Sequence, residues 1–137
     1  MPSKPVRLRV LVADDNRDTT EVLAAILRDE GHDVHIALRG DEVSEIDRLI
    51  RPDALILDIN MPGMSGYAVA REIRERRGPL APLLIAISGA WKERAEQRLA
   101  QDVGFDYYLR KPCEPAELVA LLNAFRSRGR SEASGGK

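Results

Sequence analysis

Four polar stretches hold the side chains with the most chemical potential: Asp14-Asp15, Asp58, Ser88-Gly89 and Lys111. Each lies at or just past the end of a short, largely apolar run. Three carboxylates brought together would repel, each raising the pKa of the others. A divalent cation removes that conflict, and all-oxygen ligation with room for substrate oxygens suits Mg²⁺. Lys111 would add a mobile point charge for a phosphate oxygen, and Ser88 a hydroxyl donor. A carboxylate nucleophile, a hard metal and two donors suit phosphoryl transfer, where positioning and charge neutralisation supply most of the catalysis. Taken singly, each residue has a plainer reading. Asp14-Asp15 could be a solvated loop or a helix cap, and Asp58 could cap the turn before Pro62. Ser88-Gly89 could be an ordinary strand-ending turn, and Lys111 a surface lysine.

The elements that would bring these residues together follow from the hydrophobic pattern. Residues 8–13 (LRVLVA), 34–37, 54–57 (ALIL), 83–87 (LLIAI) and 106–109 read as strands. Helical spacing predicts intervening helices over 17–30, 42–50, 67–76 and 92–102, and a last one opening at Pro115. In the first, Leu23, Ile26 and Leu27 share a face; in the second, Val43, Ile46 and Ile50 do. Gly31, Pro52, Gly78-Pro79 and Gly104 end helices. Five βα units in a row predict an α/β fold with a parallel sheet covered by helices on both sides. In such sheets the functional crevice lies at the carboxyl ends of the strands, where all four polar stretches fall.

The chain has 137 residues, one domain's worth, with 44% hydrophobic and 31% charged residues and a net charge of -1. That balance offers no basic footprint for nucleic acid and no attraction to an acidic membrane. The single cysteine, Cys113, rules out an internal disulfide and fits a reduced cytoplasmic thiol. No signal peptide or membrane-length apolar run is present in the sequence. Residues 1–6 read as an N-terminal extension, 7–126 as the folded domain and 127–137 as a disordered tail. Arg126, Arg128 and Arg130 read as solvated charges.

The set Asp14-Asp15, Asp58 followed by Ile59-Asn60-Met61-Pro62-Gly63, Ser88 and Lys111-Pro112 resembles the receiver domain of two-component response regulators. The likeness runs from about Arg7 to Arg126. It implies a flavodoxin-like, doubly wound sheet of five parallel strands in the order 2-1-3-4-5, with five helices. It also implies that Asp58 accepts a phosphoryl group from a phosphohistidine. Asp15 would bind Mg²⁺ directly and Asp14 mostly through water, with Asp58 and the Asn60 carbonyl completing the protein ligands. Lys111 would pair with Asp58 at rest and with the phosphoryl group afterwards, its bond to Pro112 cis. Ser88 and the Gly89 amide would hold the phosphoryl oxygens. Tyr108 would turn inward as Ser88 moves, switching the face formed by helix four, strand five and helix five.

The implied partners are a sensor histidine kinase or a histidine phosphotransfer protein, and a downstream protein. No direct contact with nucleic acid or membrane is expected, and the domain would be a monomer or weak dimer in the cytoplasm. It would be no enzyme beyond catalysing its own phosphorylation and dephosphorylation. It could stand alone or be cut from a hybrid histidine kinase. Ser88 replaces a frequent Thr and Gly89 a frequent Ala, which loosens that loop. Asn60 and Ala90 occupy the positions that tune phosphoryl lifetime, and Ala90 predicts slow to moderate self-dephosphorylation.

Two alternatives stand beside this reading. An aspartate-nucleophile phosphatase of the haloacid-dehalogenase type would want Asp-x-Asp after the first strand, whereas this chain has Asp14-Asp15-Asn16. A pseudo-receiver that only binds partners would not need the full set. Tyr108 could be a static strand residue, and Trp91 either a partner contact or packing for its own helix. His32 and His35 read as surface residues.

Overall fold

In the computed structural model, residues 7–89 and 94–134 are described, with side chains for 7–89 and 98–126. Five strands, β1 (Arg9–Ala13), β2 (Asp33–Ala37), β3 (Ala54–Asp58), β4 (Leu83–Ser88) and β5 (Tyr107–Arg110), form one parallel sheet in the order β2-β1-β3-β4-β5. Helices α1 (Arg17–Asp29), α2 (Gly40–Ile50), α3 (Gly66–Arg77), α4 (Arg94–Val103) and α5 (Pro115–Ser134) link or follow them, and a 3-10 turn at Gly78–Leu80 precedes β4. The doubly wound architecture anticipated from the βα alternation is the one observed.

The strands read as near-continuous apolar runs because helices cover both faces. Alternation along each strand still sorts the residues. Leu11, Leu55, Leu57 and Leu84 pack with Val69, Ile73, Ala100 and Val103 of α3 and α4. Val10, Val12, Ile56 and Ile85 pack on the other side with Leu23 and Leu27 of α1 and Leu118 and Leu122 of α5. Each fully buried Leu or Ile contributes about 1.5–3 kcal/mol. Caps fix the helix starts: the Asn16 carboxamide accepts from Thr19 N–H at 3.0 Å, and the Ser65 hydroxyl accepts from Ala68 N–H at 3.2 Å.

Three expectations change. The last helix does not stop near Arg126 but continues to Ser134. The run after Arg126 lacks an apolar face, yet it holds no proline, and its arginines, glutamate and alanine propagate a helix that α5 has already nucleated. Secondly, the buried face of α2 is wider than the apolar stripe: Val43 is buried and Ile46 packs partly buried on the core, but Gly40, Ser44 and Asp47 are buried too. The inward carboxylate of Asp47 is held by Arg76 at 2.7 Å and Arg77 at 2.9 Å, both on α3. That pairing makes a polar α2 face tolerable next to α3. Thirdly, His32 is buried, not on the surface. Its Nδ1 accepts the Leu8 N–H at 3.4 Å, so it serves as a core hydrogen-bond partner for the start of β1. His35 is partly exposed, with Nε2 3.4 Å from Asp33, in keeping with its surface reading.

Candidate functional site

The parallel register delivers the chemistry to one edge. Asp58 ends β3 opposite Ile87, and Ser88 ends β4 opposite Arg110, one residue before Lys111. Asp14 follows β1, its N–H donating to the Ala37 carbonyl at 3.2 Å. The Lys111 N–H donates to the Ser88 carbonyl at 3.0 Å, extending the β4–β5 ladder by one step and fixing the root of the lysine. The Lys111–Pro112 peptide is cis.

At this edge the side chains converge. Asp14, Asp15 and Asp58 each offer a carboxylate oxygen, and these lie within 4.8 Å of one another. The Lys111 ammonium sits 2.9 Å from Asp14 and 3.2 Å from Asp58. It therefore bridges two acids, where the sequence had paired it with Asp58 alone. Asp14, Asp58 and Ser88 are buried, whereas Asp15, Asn60 and Gly89 are exposed. The Asn60 N–H donates to Asp58 Oδ1 at 3.2 Å, and the Asn16 N–H to Asp14 Oδ1 at 3.0 Å. Both buried carboxylates are thus oriented by the backbone two residues on.

Burial pushes the Asp58 carboxyl above its ordinary value, and the Asp14 charge adds to this, against the opposing pull of Lys111 and the Asn60 amide. Burial alone would lower Lys111, but its hydrogen bond to Asp14 and the charges of Asp58 and Asp14 outweigh this and raise it. One ammonium does not satisfy two buried acids and a third beside them. A cation bound among hard oxygen donors would, so the donor set fits a divalent metal.

Gly66, at the start of α3, was not singled out from the sequence. A Cβ there would lie 2.8 Å from Ile59 Cα and 3.0 Å from the Asp58 carbonyl, so only glycine lets α3 pass this close to the backbone of Asp58 and Ile59. The signal was its place at the end of the turn-rich loop after Asp58, just before a helix. Gly89 is different: among the described residues a Cβ would meet nothing nearer than Lys111 Cβ at 3.9 Å. Tyr108, on β5 opposite Ala86, is half-buried against the core cluster that includes α4 residues Ala100 and Val103. Trp91 and Ala90 lie outside the described residues. A cleft of about 670 Å³ runs from Asp14, Asp58 and Lys111 between α1 and α5, past Val22, Leu23 and Cys113. Burial, with Glu117 and Glu114 nearby, pushes the Cys113 thiol up to about 11, so it stays protonated at neutral pH.

With this geometry in hand, comparison with known proteins is decisive: the response regulator receiver domain family matches residues 10–123. The chain belongs to that family. It is 35% identical over 127 residues to the DNA-binding response regulator MtrA of Mycolicibacterium smegmatis, covering 93% of this chain and 54% of that protein. The chain thus spans about half the length of the curated relatives it matches. In fold it is similar to the receiver domain of Francisella response regulator 1452 (TM-score 0.82, 24% identity, 90% of this chain and 99% of that one). It is also similar to the chemotaxis response regulator CheY4 of Vibrio cholerae (TM-score 0.79, 24% identity, 87% and 98%). The receiver domain is a module of two-component signalling, with an acidic pocket able to bind a metal. Among the described residues no helix is long and apolar enough to cross a membrane.

Proposed function

We propose that Asp58 is the phosphoacceptor of this receiver domain and that Mg²⁺ is its cofactor. The observation that carries the reading is the Lys111 ammonium bridging Asp14 and Asp58 beside a third carboxylate, Asp15. An oxygen of Asp58 attacks the phosphorus of a phosphohistidine; the new bond is O–P, the broken one is P–N, and the imidazole leaves with the electron pair. Asp58 is suited to this because the Asn60 N–H holds one carboxylate oxygen, Oδ1, and Lys111 the other, Oδ2, so the group is fixed in direction. After transfer the ammonium follows the phosphoryl oxygens, and the Ser88 hydroxyl and Gly89 amide hold them. Asp14, Asp15, Asp58 and the Asn60 carbonyl would hold Mg²⁺, which when bound neutralises charge on the phosphoryl oxygens.

The partner that supplies the phosphoryl group is a sensor histidine kinase or a histidine phosphotransfer protein. Its approach is over α1, where Val22 stands 59% exposed at the mouth of the cleft that leads to Asp58. Output passes through the α4-β5-α5 face to a downstream protein, with Ser88 and Tyr108 as the moving parts; the buried hydroxyl and the half-buried ring support this. The domain catalyses only its own phosphorylation and dephosphorylation, in the cytoplasm. MtrA is named as DNA-binding; the reading proposed for this chain is contact with proteins, without direct contact with nucleic acid. The test is incubation with Mg²⁺ and acetyl phosphate, read by intact mass. One phosphoryl group is gained by the wild type and none by Asp58→Ala; an equal gain in Asp58→Ala defeats the assignment.

A further inference from the structure

At the opposite edge of the sheet, where the strands begin, the C-terminal ends of α2 and α3 meet the 3-10 turn in a cup of about 260 Å³ lined by Arg48, Arg51, Arg76, Arg77 and Leu80. Two of these arginines are already employed. Arg76 and Arg77 hold the fully buried Asp47, and Arg76 also reaches Glu72 at 3.4 Å. Arg48 meets an acid only at 3.8 Å, on Glu72, and is 58% exposed. Arg51 makes no side-chain hydrogen bond or ion pair with any described residue. Only two carboxylates, Asp47 and Glu72, form ion pairs with these four guanidiniums among the described residues, although Arg51 also borders a neighbouring concavity that holds Asp33 and Asp53.

Helix C-termini attract cations, since each carries about half a negative charge. That accounts for part of the cluster and not for all of it. The last carbonyl of α2, on Ile50, is already held at 2.8 Å by Arg9 from β1, which is not a cup residue. Arg51 also stands in the left-handed conformation, φ 46° and ψ 68°, as the cap that ends α2. Glycine or asparagine fills that position at lower cost, so an arginine there is held against local preference. What it adds is an unpaired fork of donors at the rim of a cup that already has two guanidiniums fixed by Asp47.

We propose that this cup is a binding site for a diphosphate group, either as the free ion or as the end of a nucleotide. Guanidinium forks match phosphate oxygens in pairs, and the arginines outnumber the carboxylates paired with them, which suits a small anion. The volume lies just below the roughly 300–1,000 Å³ of ordinary ligand sites, which favours a small anionic group over a polymer. Leu80, 72% exposed on the wall, gives a nucleotide's base an apolar surface. The site lies at the far end of β3 from Asp58, so it would be filled independently of the phosphoacceptor pocket.

The test is isothermal titration of the full chain with sodium pyrophosphate, and separately with a nucleoside diphosphate, in low salt with a chelator. One-to-one binding is expected. Arg51→Gly and Arg48→Gln should each weaken it at least about tenfold, as loss of a charged hydrogen bond does. Arg51→Gly should melt no lower than the wild type, because it relieves the left-handed backbone. Lys111→Gln should bind as the wild type does. Tighter binding of the nucleoside diphosphate identifies a nucleotide as the source, and equal binding identifies the free ion. No binding at millimolar ligand overturns the proposal. So does binding that survives both arginine variants, or binding that Lys111→Gln abolishes.

Discussion

Replacing Lys111 with methionine removes the ammonium and keeps an apolar stem of similar reach, which isolates the charge at the acidic edge. In the folded protein that charge lies 2.9 Å from Asp14 and 3.2 Å from Asp58, whose side chains are only 8% and 6% exposed. Removing one partner of a fully buried ion pair costs about 3–5 kcal/mol. Lys111 is itself 35% exposed, so solvent screens part of the interaction. We therefore expect a loss of about 2 kcal/mol in a chelator at pH 7.5. With a urea dependence of roughly 1–3 kcal/mol/M, the midpoint should fall by about 1 M.

The pH dependence has a defined sign. The Lys111 pKa is raised in the folded state, so its contribution is complete below the ordinary lysine value of 10.5 and is lost as pH rises through the folded value. At the acid end Asp58 has a raised pKa, from burial and then from Asp14, so it takes up a proton sooner than an ordinary carboxyl and needs the lysine less. The gap between wild type and Lys111→Met should thus be widest near neutrality and close in both directions. Mg²⁺ should stabilise the variant more than the wild type, because it supplies the missing positive charge; at ten times its Kd a ligand adds about 1.4 kcal/mol. Urea titrations in chelator and in Mg²⁺ read both effects. Equal Mg²⁺ stabilisation of the two proteins, or a chelator midpoint shift under about 0.2 M, would refute the electrostatic reading.

Three further outcomes follow from the packing. Gly66→Ala should lower the acetyl phosphate labelling rate of Asp58 and destabilise the fold, because its Cβ would meet Ile59 Cα at 2.8 Å, whereas Gly89→Ala, with 3.9 Å of clearance, should do neither; intact mass and thermal melting check both. Asp47→Ala should cost about 2–3 kcal/mol in a urea titration, below the full cost of a broken buried pair because Arg76 and Arg77 are 27% and 14% exposed and regain water. The His32 pKa is lowered by burial and then by Arg126, against Glu30. Its contribution is therefore present above the ordinary histidine value of 6.5 and lost as pH falls below it, so the stability gap between wild type and His32→Gln, read from melting curves, should narrow between pH 7.5 and 5.

The acidic edge was legible because a parallel sheet makes every strand leave on the same side, so the residue after each apolar run is a site candidate whatever its distance in sequence. Asp14, Asp58, Ser88 and Lys111 all follow that rule. What periodicity cannot encode is the partner of a buried charge. Asp47 falls at helical spacing from Val43, on the buried face of α2, but its burial depends on Arg76 and Arg77, which lie about thirty residues further on. Read alone, an aspartate near a helix C-terminus belongs in solvent. His32 was misplaced for a different reason. Alternation from Val34 puts it on the buried side of the chain entering β2, a signal passed over because the residue lies at the start of the strand, away from the crevice.

A net charge of -1 says nothing about how charge is distributed over the fold. The helices of a βα unit run against the strands, so their N-termini gather at the strand-exit edge and their C-termini at the strand-entry edge. Each end favours charge of opposite sign, anions near the first turns and cations near the last. Asp14, Asp15 and Asp58 lie at the first kind of edge, close to the capped starts of α1 and α3; Arg48, Arg76 and Arg77 lie in last turns at the second. Phosphoryl chemistry at the exit edge would therefore call for an added cation, because the protein has placed acids where helix N-termini favour an anion. The entry edge has the reverse excess: its arginines outnumber the carboxylates that pair with them, and one stands in a backbone conformation better suited to glycine. Net charge thus cannot exclude anion binding by a doubly wound domain; the balance must be struck at each edge of the sheet separately.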